Sequence, residues 1–261
     1  MFFRGKYSGS SFVELLDVDF PHLRPTLPER WAQETAPTVP HGTTVLAMRC
    51  ADGVLVAGDR LATEGHRVAS RDVQKVYPTD AHSLIAIAGA AGPCIEMARM
   101  LRIELEHYEK IEGEALELEG KANKLSQMVR ANLPAAMQGL VVVPIFAGYD
   151  LRRRVGRLWK YDVTGGRYEE AEFEASGSGG LFARESLKKG WRPDLSRDEA
   201  LRVAIEALID AADEDLGTGG PDLQRGIVPS VKTITRSGFA DVADDEIRRY
   251  CEAILNDRNR L

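Results

Sequence analysis

Thr43 heads the run Thr43-Thr44-Val45-Leu46-Ala47-Met48-Arg49-Cys50 and directly follows His41-Gly42. A threonine inside a chain is a poor nucleophile, because its hydroxyl needs a base and none of these neighbours supplies one. Cutting the Gly42–Thr43 bond changes that, since the new α-amine sits on the same residue as the hydroxyl and nucleophile and base arrive together. Such an amine has an ordinary pKa of about 7.7 to 8.0, close enough to neutrality for general-base work.

Other chemistries have weaker patterns. Ser178 lies in Ser176-Gly177-Ser178-Gly179-Gly180, where Ser176 occupies the place of the first glycine of a GxSxG elbow. The five histidines, His22, His41, His66, His82 and His107, form no metal or triad pattern. Cys50, Cys94 and Cys251 are far apart without CxxC spacing, so neither a zinc site nor a disulfide framework is expected. The glycine-rich segment has neither GxGxxG nor GxxxxGK[ST] spacing, and no nucleotide or other cofactor is expected.

The elements that must position Thr43 follow from the chain's texture. Residues 1 to 42 hold five of the twelve prolines, Pro21, Pro25, Pro28, Pro37 and Pro40, which remove backbone donors and forbid long regular elements. They read as a loosely structured leader before one domain, residues 43 to 261. Asp52-Gly53 sits between two β-rich runs, a hairpin signal because both turn positions tolerate positive φ. Pairing outward from that turn sets Cys50 opposite Leu55, Leu46 opposite Asp59 and Thr43 opposite Ala62. In that register Asp59 and Thr43 point to opposite faces.

Arg60 to Pro78 is polar and turn-rich, with Lys75 in a short β-like alternation between Val73 and Tyr77. Ser83 to Ala90 is a continuous apolar run that suits a strand covered on both faces, ending at Gly89. Two helical stripes follow, Cys94, Ala98, Leu101, Leu105 and Tyr108, then Leu118, Ala122, Leu125, Val129, Leu133 and Ala136, with Gly113 between them. Strands are expected at Leu140 to Tyr149, Val155 to Asp162 and Arg167 to Phe173, and a turn at Ser176 to Gly180 opens a helix to about Lys189. Ser196 and Glu199 form a capping box for a helix to Asp215, with Leu201, Ile205, Leu208 and Ala212 facing inward. Strands at Ile227 to Thr235 and Phe239 to Val242 precede a last helix carrying Ile247, Tyr250, Cys251 and Ile254. This order suggests sheets with helices outside them.

At 261 residues and 44% hydrophobic content the chain can bury a sizeable core. A net charge of −6 argues against a nucleic-acid or anionic-membrane partner. Charges at Arg4, Lys6, Glu14 and Asp17 interrupt any signal-peptide core, and no run approaches the roughly 18 apolar residues of a spanning helix. A soluble, cytoplasmic protein is expected.

Gly42-Thr43-Thr44, Gly58-Asp59-Arg60, Asp72-Val73-Gln74-Lys75-Val76-Tyr77, Ser83 to Ala91, Ser176 to Gly180 and Asp215 to Gly220 occur in the order found in the catalytic β-subunits of the 20S proteasome, which this chain resembles from Thr43 to its end. His107-Tyr108-Glu109-Lys110 and Ala135-Ala136-Met137-Gln138-Gly139 are similar to the bacterial, actinobacterial type. The resemblance implies an α+β, four-layer αββα N-terminal-nucleophile hydrolase fold, two stacked antiparallel sheets between helical layers. It also implies a zymogen whose residues 1 to 42 are a propeptide removed by self-cleavage at Gly42–Thr43.

By the same resemblance Thr43 is the nucleophile, Lys75 the lysine that disfavours protonation of the amine, and Asp59 the carboxylate that holds this lysine charged. Gly89 matches the glycine whose backbone N–H receives the oxyanion, and Ser178, Asp215 and Thr218 match the surroundings of the amine. Many family members carry serine where this chain has Thr218. Thr63, Gly89 and Ala91 are expected to pair with substrate backbone, and Ala62, Val73, Ile87 and Ala91 to line the pocket for the residue before the scissile bond. The implied partners are a homo-heptameric β-ring stacked on α-subunit rings, a ring-shaped ATPase acting on those α-rings, and unfolded protein substrates.

Two rivals stand beside this reading. One is the related six-fold ATP-dependent threonine peptidase, against which the long leader and the actinobacterial wording argue. The other is a non-catalytic structural ring subunit, which need not keep Thr43, Asp59 and Lys75 together.

Overall fold

In the computed structural model, residues 42–64 and 67–260 are described. The leader up to His41, with its prolines, and His66 lie outside them. The continuous apolar runs of the sequence become strands buried on both faces. β1 (Thr44–Cys50) and β2 (Gly53–Gly58) lie at the centre of a five-stranded antiparallel sheet completed by β10 (Phe173–Gly177), β11 (Ser230–Thr235) and β12 (Gly238–Asp241), in the order β10-β1-β2-β11-β12. A second antiparallel sheet runs β5-β6-β7-β8-β9, formed by Val76–Asp80, Ser83–Gly89, Val142–Asp150, Val155–Tyr161 and Arg167–Glu170.

Alternation along β1 assigns the layers. Val45 and Ala47 pack with Val54, Val56, Leu84, Ala86 and Ile145 between the two sheets. Leu46 and Met48 face the other way, onto the helices α4 (Gly180–Gly190), α5 (Arg197–Glu214) and α6 (Asp244–Arg258). The outer face of the second sheet, through Ile85, Ile87, Phe146 and Trp159, packs on α1 (Ala91–Glu112) and α2 (Leu118–Ala131). The four-layer α+β architecture expected from the sequence is therefore present.

Several local expectations are corrected. The first hairpin turns at Ala51-Asp52, so Cys50 pairs with Gly53, Met48 with Leu55 and Leu46 with Ala57. Neither Asp52 nor Gly53 has positive φ. Gly53 is instead a strand residue at a close approach, where a Cβ would stand 1.9 Å from the Ile234 carbonyl oxygen on β11. The polar stretch after Asp59 holds a small hairpin, β3 (Ala62–Glu64) and β4 (Arg67–Ser70), which among the described residues forms its own two-stranded sheet. Ser176 and Gly177 belong to strand β10 rather than to a turn. The second helical stripe breaks at Asn132, because Pro134 cannot continue α2, and a short helix α3 (Leu133–Ala136) follows. Tyr108, assigned to the inner stripe of α1, is 37% exposed.

Candidate active site

Thr43 stands one residue before β1, on the side of the strand that faces between the sheets, and is 6% exposed. Its hydroxyl donates to the Gly42 carbonyl oxygen at 2.6 Å, so the group that would attack lies beside the carbonyl it would attack. Gly42 donates its N–H to Thr63 Oγ1 at 3.2 Å. It also packs against the backbone of Gly217, where a Cβ on residue 42 would be 2.2 Å from both Cα and carbonyl oxygen. This close approach is what excludes a side chain at residue 42.

Asp59 and Lys75 form a buried pair at the end of β2. Lys75 Nζ donates to Asp59 Oδ1 and to the Leu61 carbonyl, both at 2.6 Å. Asp59, 0% exposed, accepts three backbone N–H groups besides: Thr44 at 2.8 Å, Leu61 at 2.9 Å and Gly219 at 2.9 Å. These donors satisfy a carboxylate that would otherwise be costly to bury. Burial holds the Lys75 ammonium below the usual lysine range, although the Asp59 charge pulls the other way. The face conflict seen in the sequence resolves here: Asp59 reaches the backbone of Thr44, and only Lys75 extends from it toward the cleft that Thr43 lines.

A second cluster surrounds the Thr43 nitrogen. Thr43 N–H donates to Ser178 Oγ at 3.3 Å, and Ser178 Oγ donates to Asp215 Oδ2 at 2.5 Å. Thr218 Oγ1 donates to the same oxygen at 2.6 Å, and the Gly217 N–H to Oδ1 at 3.1 Å. Asp215 is delivered by α5, whose capping box at Ser196 and Glu199 forms as expected and whose C-cap is Asp215 itself. The hydroxyl of Thr218 makes the contact available to a serine, so the added methyl changes the packing and not the bond.

One cleft gathers Thr43, Lys75, Gly89, Ala62, Thr63, Val73, Ile87 and Ala91 from four separate stretches of chain. Gly89 ends β6 with φ +131 and Ala91 begins α1, so the positive end of the α1 dipole opens beside the cleft. Sequence reasoning missed Gln74, Tyr77, Cys94 and Ile95, which also line it. The signal for Cys94 and Ile95 was their helical spacing from Ala91. Burial pushes the Cys94 thiol up to about 12 despite nearby Lys75, so it stays protonated and is no competing nucleophile.

Two stacked antiparallel sheets between helical layers, with a hydroxyl at the head of a central strand, define the N-terminal-nucleophile hydrolase class. The family model "Proteasome subunit" matches residues 39–222. A "Proteasome subunit beta" of Acidothermus cellulolyticus is 52% identical over 250 residues, 94% of this chain and 86% of the relative. Proteins of the same name from Acidimicrobium ferrooxidans and Streptomyces griseus are 55% identical over 236 residues and 49% over 249, covering 90% and 95% of this chain and 85% and 89% of theirs. The chain belongs to the proteasome subunit family. Among the described residues no helix is long and apolar enough to cross a membrane.

Proposed function

We propose that this chain is a catalytic β-subunit of a 20S proteasome core, an N-terminal threonine endopeptidase made as a precursor. The observation that carries the reading is the convergence of Thr43, Lys75 and the apolar cleft walls, with Asp59 behind the lysine and Ser178 on the Thr43 nitrogen. In the precursor, Thr43 Oγ attacks the Gly42 carbonyl carbon, the Gly42–Thr43 amide bond breaks as an ester forms, and water hydrolyses the ester. Residues 1 to 42 leave, and residues 43 to 261 remain as the catalytic domain.

In the mature subunit the α-amine takes the Thr43 hydroxyl proton as Oγ attacks a substrate carbonyl. Lys75 as a cation keeps that amine unprotonated, and the Gly89 N–H receives the developing oxyanion, a contribution on the order of 10²- to 10³-fold in rate. Substrate backbone enters as an added strand along Thr63, Gly89 and Ala91. Its side chain before the scissile bond enters the pocket of Ala62, Val73, Ile87 and Ala91, whose apolar lining favours apolar residues. The subunit assembles as a heptameric ring on α-subunit rings in the cytoplasm, and a ring-shaped ATPase feeds unfolded proteins to it.

Intact mass and N-terminal sequencing after assembly with α-subunits test the reading. Loss of residues 1 to 42, with Thr43 as the new terminus, is expected to accompany the onset of peptide hydrolysis. Full activity with the leader attached contradicts it. The pH profile gives a second expectation, a bell. Activity rises as the amine loses its proton, at or below its ordinary 7.7 to 8.0 because Lys75 is a neighbouring cation. It falls when Lys75 loses its own proton, and because burial lowers that pKa, the alkaline limb lies below the ordinary lysine value of about 10.4. An alkaline limb at or above that value contradicts the role given to Lys75.

A further inference from the structure

Thr44 does not line the cleft, yet its two polar groups reach both arms of the site. It is 0% exposed. Its backbone N–H donates to Asp59 Oδ1 at 2.8 Å, and its hydroxyl lies 2.6 Å from Thr218 Oγ1. Proton counting fixes the direction of that second bond. Thr218 has a single hydroxyl proton and gives it to Asp215 Oδ2, so Thr44 is the donor to Thr218. Asp215 Oδ2 also takes the Ser178 proton, which leaves Ser178 Oγ to accept from the Thr43 nitrogen. A directed chain therefore runs from Thr44 through Thr218 to Asp215, and meets there the chain that comes from Thr43 through Ser178.

The space beside the hydroxyl pair is tightly held. A Cβ on Gly179 would stand 2.4 Å from Thr44 Oγ1 and 2.5 Å from Thr218 Oγ1. Thr218 is itself buried, so no bulk water competes freely for its lone pairs.

We propose that Thr44 is a positioning residue for the amine chemistry: its hydroxyl aims the Thr218 proton at Asp215 and so sets the negative charge that Asp215 presents beside the base. This rests on the reading of Thr43 as an N-terminal nucleophile. Hydrogen bonds in such a chain polarise one another, so a donor at its far end strengthens the bond that Asp215 receives. Without that donor Thr218 loses the partner that fixes its rotor, Asp215 keeps more of its charge, and the amine holds its proton to higher pH.

The test uses the assembled enzyme matured to Thr43. Thr44→Val keeps the shape and the backbone N–H to Asp59 while removing the hydroxyl, and Thr44→Ala serves if the valine variant fails to assemble. Loss of one buried hydrogen bond is expected to lower kcat about two- to tenfold, with KM unchanged and the acid limb of the kcat profile moved to higher pH. Thr44→Ser restores both. Added to Thr218→Val, the Thr44 change costs nothing further, because Thr44 acts only through Thr218. A wild-type kcat and acid limb in Thr44→Val overturns the proposal, as does a loss that Thr44→Ser shares or one that adds in full to that of Thr218→Val. The underlying reading fails on a different result, peptide hydrolysis that survives Thr43→Ala.

Discussion

Thr43→Ala is expected to leave the chain full-length and inactive while its fold persists. The substitution removes one hydroxyl and one methyl at a position just before β1. The only side-chain bond lost among those seen is the one to the Gly42 carbonyl. The backbone contacts that seat residue 43, its N–H on Ser178 Oγ and its carbonyl on the Ser178 N–H at 2.9 Å, do not depend on the side chain. Both reactions assigned to Thr43 Oγ, cleavage at Gly42 and hydrolysis of substrate, lose their nucleophile together. The drop in peptide hydrolysis is expected to be on the order of 10⁴-fold or more, the scale on which covalent catalysts lose activity with their nucleophile. Two nearby candidates are poorly suited to take over, since Ser178 already gives its proton to Asp215 and burial raises the Cys94 thiol to about 12. Thr43→Ser keeps a hydroxyl and should retain both reactions, which separates chemistry from packing. Intact mass reads the leader and a peptide assay reads the second reaction. A Thr43→Ala chain that still sheds residues 1 to 42 and cleaves peptides has a nucleophile elsewhere.

The layers were legible in the sequence because they depend on periodicity. Ser83 to Ala90 and Val45 to Met48 are apolar on both faces, and a strand so composed must lie between two other layers. The capping box at Ser196 and Glu199 located α5 to within a residue. Local signals failed where a neighbouring element decides the outcome. Asp52-Gly53 has the composition of a hairpin turn, yet Gly53 is glycine because β11 passes 1.9 Å from where its Cβ would be. β10 carries Ser176 and Gly177, poor strand formers, and exists because β1 offers it a pairing edge. β3 and β4 have no buried face to produce an alternating pattern.

The site was legible only as an ordered set of motifs. Ala62, Val73, Ile87 and Ala91 have no common spacing, and nothing in their types distinguishes a pocket wall from a core residue. Thr44 shows the same difficulty from within. As the second residue of Gly-Thr-Thr it reads as strand, and its hydroxyl acquires meaning only when Thr218 arrives from the far end of α5. Lys75 is the converse case: a lysine in a polar stretch reads as a surface residue, and the structure leaves it 5% exposed on a carboxylate that is 0% exposed.

That pair supplies the second large effect, with stability and activity expected to separate. Lys75→Ala leaves Asp59 buried with its three backbone donors and no counter-charge. Asp59→Ala leaves the ammonium buried on the Leu61 carbonyl alone. Breaking a buried pair from one side costs about 3–5 kcal/mol, whereas replacing both partners by neutral groups of similar shape is often close to neutral. Each single variant should therefore show a lowered unfolding midpoint, and the double variant Lys75→Met/Asp59→Asn should recover most of it. Activity is expected to follow neither trend. The variants without Lys75 lose the cation that keeps the amine unprotonated, and in Asp59→Ala the ammonium loses the carboxylate that holds it charged and in place. In each, kcat near neutral pH is therefore expected to fall on the order of 10²- to 10⁴-fold, the span of general acid–base contributions. Lys75→Arg should not rescue it. The site holds a point charge between Asp59 Oδ1 and the Leu61 carbonyl, each 2.6 Å from one nitrogen, and a planar guanidinium does not reproduce that geometry. Denaturation midpoints and kcat measured on the same four proteins decide the matter. If the double variant regains activity along with stability, the pair is a structural brace and the base at Thr43 works without it.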